Sequence, residues 1–123
     1  MGSYREVELA ASAARTATGN GSAFGGFAQS NKIAAQLVIS AASGTNPTLD
    51  VVIQHSIDGG TTWHDLISFA QQTTTATVFA DYSEVEGSTA QVYGDKLRAK
   101  WTLGGTRPSF TFSVKISAEA DDY

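Results

Sequence analysis

Polar and apolar residues alternate with period two through most of this chain, and that spacing predicts strands. Lys32–Ala41 puts Ile33, Ala35, Leu37 and Ile39 on one face, with Ala34, Gln36, Val38 and Ser40 on the other. Leu49–Ser56 repeats the pattern with Leu49, Val51, Ile53 and His55 against Asp50, Val52, Gln54 and Ser56. Trp63–Gln71 and Ala76–Tyr82 are further apolar runs. Asp95–Leu103 alternates cleanly, with Leu97, Ala99, Trp101 and Leu103 opposite Lys96, Arg98, Lys100 and Thr102. Ser109–Ser117 answers it with Phe110, Phe112, Val114 and Ile116.

Turn-forming residues separate these runs: Ser43-Gly44-Thr45-Asn46-Pro47, Asp58-Gly59-Gly60, Gln72–Thr75 and Gly104-Gly105-Thr106-Arg107-Pro108. Glycine reaches positive φ without steric cost, and Asp and Asn hydrogen-bond their own backbone, so each cluster is expected to end a strand. Ser83–Tyr93 reads as a loop. Seven or eight strands with no amphipathic helix predict an all-β fold, an antiparallel β-sandwich or jelly roll. Trp101, Phe110 and Phe112 are expected at its centre.

The first 31 residues carry little of this signal. Tyr4, Val7 and Leu9 suit a short strand, but Ala10–Gly26 is almost entirely Ala, Gly, Ser, Thr and Asn. Residues 1–31 therefore read as a flexible or extended arm, or equally as an edge strand with a long loop. Residues 32–118 form the β domain, and 119–123 an acidic tail.

Composition narrows the function. A chain of 123 residues suits one domain, and a charged fraction of 16% implies a rather neutral Ser/Thr surface. The net charge of −4 argues against a nucleic-acid partner. With no cysteine, thiol catalysis and Cys-based metal sites are excluded. No apolar run of membrane-spanning length and no signal peptide is present, so no membrane partner is expected.

Candidate chemistry is sparse. His55 and His64 flank the Asp58-Gly59-Gly60 turn, and with Asp65 they form a weak three-ligand metal candidate. A structural site normally has four ligands, so two polar residues near a hairpin end is the plainer reading. No carboxylate pair, nucleophile–base pair or phosphate loop is recognisable, so no catalytic residue and no cofactor is expected. Lys96, Arg98 and Lys100, at i, i+2 and i+4 with Arg107 beyond, form a cationic stripe. It reads either as a docking surface for an acidic partner or as an ordinary solvated strand face.

Ser56-x-Asp58-x-Gly60-x-Thr62-Trp63 resembles the Asp-box hairpin of sialidases and the related hairpins of discoidin-like domains and tailed-phage virion proteins. The resemblance implies a structural turn in which Asp58 caps amides and Trp63 packs behind the loop. A sialidase propeller repeats the box, whereas this chain has it once, so hydrolase activity ranks last. Gly94–Val114, ending Pro108-Ser109-Phe110-Thr111-Phe112-Ser113-Val114, resembles the C-terminal strand pair of small tailed-bacteriophage virion proteins. Leu49-Asp50-Val51, Gln54, Ser56 and Asp58-Gly59-Gly60 precede it in the matching order, so the resemblance covers about residues 32–117.

That likeness implies a non-enzymatic virion protein, a capsid decoration (cement) protein made in the host cytoplasm. It would bind the major capsid protein on the outside of a phage head, as a homo-oligomer and most simply a trimer. The rival reading is a carbohydrate-binding module of a phage fibre, with Tyr4, Tyr82, Tyr93 or Trp63 as the sugar platform.

Overall fold

Two long strands carry the molecule, and each is built from two of the expected short ones. The computed structural model describes residues 3–27, 30–83 and 95–120. Its strands are β1 (Ser3–Arg15), β2 (Gly19–Asn20), β3 (Ser30–Ser56), β4 (His64–Ser68), β5 (Ala76–Ser83) and β6 (Lys96–Ala120). All pairings are antiparallel, in the order β1-β6-β3-β4, with β2 added on β6 and β5 on β3. The protein is all-β, with no helix among the described residues.

The count of six corrects the expected seven or eight. Ser43–Pro47 and Gly104–Pro108 do not end strands. They lie opposite one another, with Ser43 paired to Ser109, Thr45 to Thr106 and Thr48 to Gly104, and the register slips between these rungs. Gly44, Asn46, Gly105 and Arg107 all take positive φ here. Matched irregularities of this kind bend both strands together without breaking the ladder. The expected hairpin between 95–103 and 109–117 is therefore absent: the two runs are one strand, and both pair with β3.

The bend is sharp. Trp101 and Phe112 are eleven residues apart on β6, about 36 Å along a straight strand. Their ring centroids are 5.5 Å apart, edge to face. The β3–β6 ribbon thus doubles back, and its two halves close over a shared apolar interior. Over one half lie β1 and β5; over the other lie β2 and β4. Leu37, Val51, Ile53, Leu97, Phe110 and Phe112 are fully enclosed, and Trp101 is 8% exposed.

Residues 3–27, expected equally as a flexible or extended arm or as an edge strand with a long loop, are extended and built into the sheet, with β1 at the end of the strand order. β1 pairs with β6 from Ala120 to Phe110, with register shifts after Glu8 and Ala10. The next segment crosses the other half of the ribbon, where Gly19 pairs with Trp101 and Phe24 bridges to Leu97. Leu9, Ala10 and Phe27 are core residues. The apolar domain therefore begins well before residue 32. The expected loop at 83–93 and tail at 119–123 fall almost wholly outside the described residues.

Candidate functional site

The β3–β4 connection is tied together almost entirely by its own residues. Asp58 Oδ1 accepts hydrogen bonds from Thr61 N (3.1 Å), Thr62 N (2.8 Å) and Ser56 Oγ (2.7 Å). Ser56 Oγ in turn accepts from Gly60 N at 2.8 Å. Gly59 and Gly60 supply the positive φ that lets these amides converge. Trp63 Nε1 donates to Gly60 O at 3.1 Å, which places the indole against the loop. Ser56 to Trp63 is thus a rigid, internally satisfied turn whose polar groups are spent on structure.

These bonds favour the ionised carboxylate. The Thr62 amide first, then the Ser56 hydroxyl, holds the Asp58 carboxyl well below the usual carboxylate range. A group depressed in the folded state contributes stability that is fully present above its unfolded value, near pH ~4, and is lost as pH falls through the folded one. Acidification below that range is expected to lower the protection factors of the Thr61 and Thr62 amides ahead of those of the core. Asp58→Asn should loosen the same amides at neutral pH and remove their acid sensitivity. Exchange that stays slow in Asp58→Asn would contradict this account of the turn.

The cationic stripe divides. Arg98 stacks its guanidinium 4.3 Å above the Trp63 ring and donates through Nε to Gln54 Oε1 at 2.9 Å. Gln54, 6% exposed, passes the chain on by donating Nε2 to Asp65 Oδ1 at 2.9 Å. Lys96 is half-buried and lies along Gly60. Lys100 is exposed beside Asn20 of β2, and exposed Arg107 sits at the ribbon bend with φ of 50°. The structure brings Lys96 and Arg98 onto the turn and leaves Arg107 at the bend.

His55 and His64 pair across the hairpin with ring centroids 6.0 Å apart. Burial, then the neighbouring His64, lowers the His55 pKa. Asp65 comes directly after His64 on the strand and pairs with Gln54 instead, on the opposite face. The three candidate ligands therefore do not converge, and no group of three or more His, Cys, Asp or Glu suited to a metal occurs among the described residues.

Two features had no signal in the sequence. Arginines clamp the N-terminal segment: Arg5 covers the Phe27 ring at 4.3 Å and donates to the Gly25 and Gly26 carbonyls. Arg15 lies 4.6 Å from the Trp101 ring and 4.4 Å from Phe112, and donates to the carbonyls of Phe112 and Ala11 at 2.7 Å. Arg15→Lys keeps the charge but loses the planar fork, and a loss of about 1–2 kcal/mol in urea unfolding is expected. An unchanged midpoint would show that the stack carries no stability.

The second feature is a depression of about 400 Å³ on the outer face of β1, β6, β3 and β5, lined among others by Glu6, Glu8, Ala34, Gln36, Phe79 and Lys115. Phe79, 71% exposed, pairs with Gln36, which pairs with Lys115, which pairs with Glu8, forming one row across four strands.

No protein-family model matches the sequence, and no curated protein does. Similarity is found at the level of structure. A chain in the structure of infectious bursal disease virus, strain Gx, superposes with a TM-score of 0.68 at 13% identity over 99% of this chain. The present chain spans 33% of that one's length. The SPBc2 prophage-derived protein YomS superposes with a TM-score of 0.52 at 11% identity, covering 98% of this chain and 96% of its own. A similar β fold thus occurs in a chain of a virus structure and in a prophage-derived protein. At such identities the likeness concerns the fold alone.

Proposed function

We propose that this chain is a non-enzymatic structural protein of a virus particle, a decoration protein that binds the outside of a phage head. On this reading the doubled ribbon is a β-sandwich of jelly-roll type, and the molecule self-associates, most simply as a trimer. The observation that carries the proposal is the end-to-end likeness to a chain of a virus structure, with 99% of this chain superposed. The prophage origin of the second neighbour points the same way. The turn adds support, because its Asp and Ser bond to one another and to backbone amides in the manner of a scaffold. On the sugar-platform alternative, Arg98 occupies one face of Trp63.

The test is cosedimentation of purified protein with expanded phage heads stripped of accessory proteins, followed by cryo-electron microscopy of the bound particles. Saturable binding at symmetry-related positions on the outer surface is the expected result. Absence of binding to heads of the phage that encodes the gene would sink the proposal.

A further inference from the structure

The tied turn holds two imidazoles side by side. His55 stands directly before Ser56 and His64 directly after Trp63, and the two are paired across the β3–β4 hairpin. Directly paired residues project on the same face with Cβ atoms about 4.5–5.5 Å apart. The ring centroids here are 6.0 Å apart and the planes are tilted by 54°. An imidazole nitrogen binds a divalent transition metal at about 2.0–2.1 Å and lies about 1.1 Å from its own ring centre, so two rings sharing one ion can have centroids up to about 6.4 Å apart. The observed pair lies inside that limit. His64 is exposed, so a rotamer change there can bring the rings to about 4.5 Å, the spacing that adjacent coordination positions need. The alternation that turns Asp65 away also sends Lys96 and Arg98 to the opposite face, because their partners Ser56 and Gln54 flank His55 along β3. Neither cation therefore stands against an incoming ion. On the side away from His64, His55 pairs with enclosed Leu97, which bridges to Phe24.

We infer that His55 and His64 form a two-histidine chelate for a divalent copper or nickel ion, with water filling the remaining positions. Zinc suits the pair less well, because its sites use three or four protein ligands. Copper(II) and nickel(II) accept tetragonal shells of nitrogen and oxygen, and copper binds more tightly of the two. Two ligands on one hairpin reinforce each other, since binding at the first presents the second at high effective concentration. The bonds of Ser56, Asp58 and Trp63 fix the turn between them before an ion arrives, so little freedom is lost on binding. Burial and the neighbouring His64 lower the His55 pKa, which leaves its ring neutral and its lone pair available at pH 7. An ion held across the pair ties β3 to β4 and stabilises the folded hairpin by mass action. The inference concerns the isolated chain and is independent of capsid binding.

Isothermal titration calorimetry of tag-free protein with copper(II) chloride and nickel(II) chloride, in a weakly coordinating buffer near neutral pH, tests it. Copper is expected to bind as a single ion per chain and more tightly than nickel. Removing either ligand ends the chelation, so His55→Asn and His64→Asn should each lose roughly tenfold or more in copper affinity. Circular dichroism checks that each variant folds, and exposed His64 keeps the test available if His55→Asn does not. In nuclear magnetic resonance spectra, substoichiometric nickel should broaden the two imidazoles together. Asp58→Asn, which loosens the turn but leaves both ligands in place, should bind copper more weakly at the same stoichiometry. A His64→Asn variant that binds copper like wild type, or nickel that broadens one imidazole and spares the other, would overturn the chelate. Unchanged copper affinity in Asp58→Asn would overturn the turn's part in positioning the pair.

Discussion

Phe112→Ala is expected to lower the unfolding free energy by about 3–5 kcal/mol, the range for truncating a fully buried aromatic residue. Phe112 has no exposed surface and sits where the two halves of the ribbon meet. The edge of Trp101 approaches it from the other half of β6, and Arg15 covers it from β1. Its backbone pairs with Ile39 on one side and Ala13 on the other. The cavity is therefore framed by three strands, none of which can collapse into it without shifting its own register. Urea denaturation should show a lower midpoint with little change in slope, and weaker near-ultraviolet dichroism from Trp101. Lys115→Ala on the exposed face of the same strand should stay within about 0.5 kcal/mol of wild type. A Phe112→Ala loss as small as that would mean that the two halves do not share a core.

Gly105→Ala is the second large effect expected. Gly105 has φ of 101°, and a Cβ there would sit 2.5 Å from the Asn46 carbonyl oxygen and 2.9 Å from the Pro47 Cα. Both contacts are with backbone of the opposing strand, so a side-chain rotation cannot relieve them. The strained backbone alone costs about 1–3 kcal/mol, and the collision adds to it. Because the bend brings Trp101 to Phe112, the substitution should also disturb tryptophan fluorescence in the folded state. Gly59→Ala separates the two contributions: its φ is 81°, but nothing lies within 4 Å of the added carbon. It should show the conformational cost and leave the core signal intact. Equal losses at the two glycines would argue that the bend is not tightly packed.

The contrast between these glycines also explains what a sequence can reveal. The Ser56–Trp63 turn is readable because every bond that holds it spans four residues or fewer. Alternation along 32–41, 49–56, 95–103 and 109–117 is readable because period two is a property of the strand itself. The path the chain takes at the end of each run is not. Gly, Asn and Pro at 43–47 and 104–108 suit a chain-reversing turn and a bulged bend equally well, and the choice depends on a partner strand roughly sixty residues away.

The same reasoning accounts for the site. Spacing places Lys96, Arg98 and Lys100 on one face, but Gln54 and Trp63, which engage Arg98, come from elsewhere in the chain. Cross-strand pairing sets His55 opposite His64, and the alternation that does so turns Asp65 away. Leu9, Ala10 and Phe27 lie in a stretch without periodicity, and the arginine clamps that anchor it join residues far apart in the chain.

Ser3 and Ala120 face each other on one rung of the sheet, so these two residues, far apart in sequence, lie about 5 Å apart. A polypeptide with neighbouring ends can be spliced into a surface loop of a larger host without spreading that loop's stems, and its ends can be relocated by circular permutation.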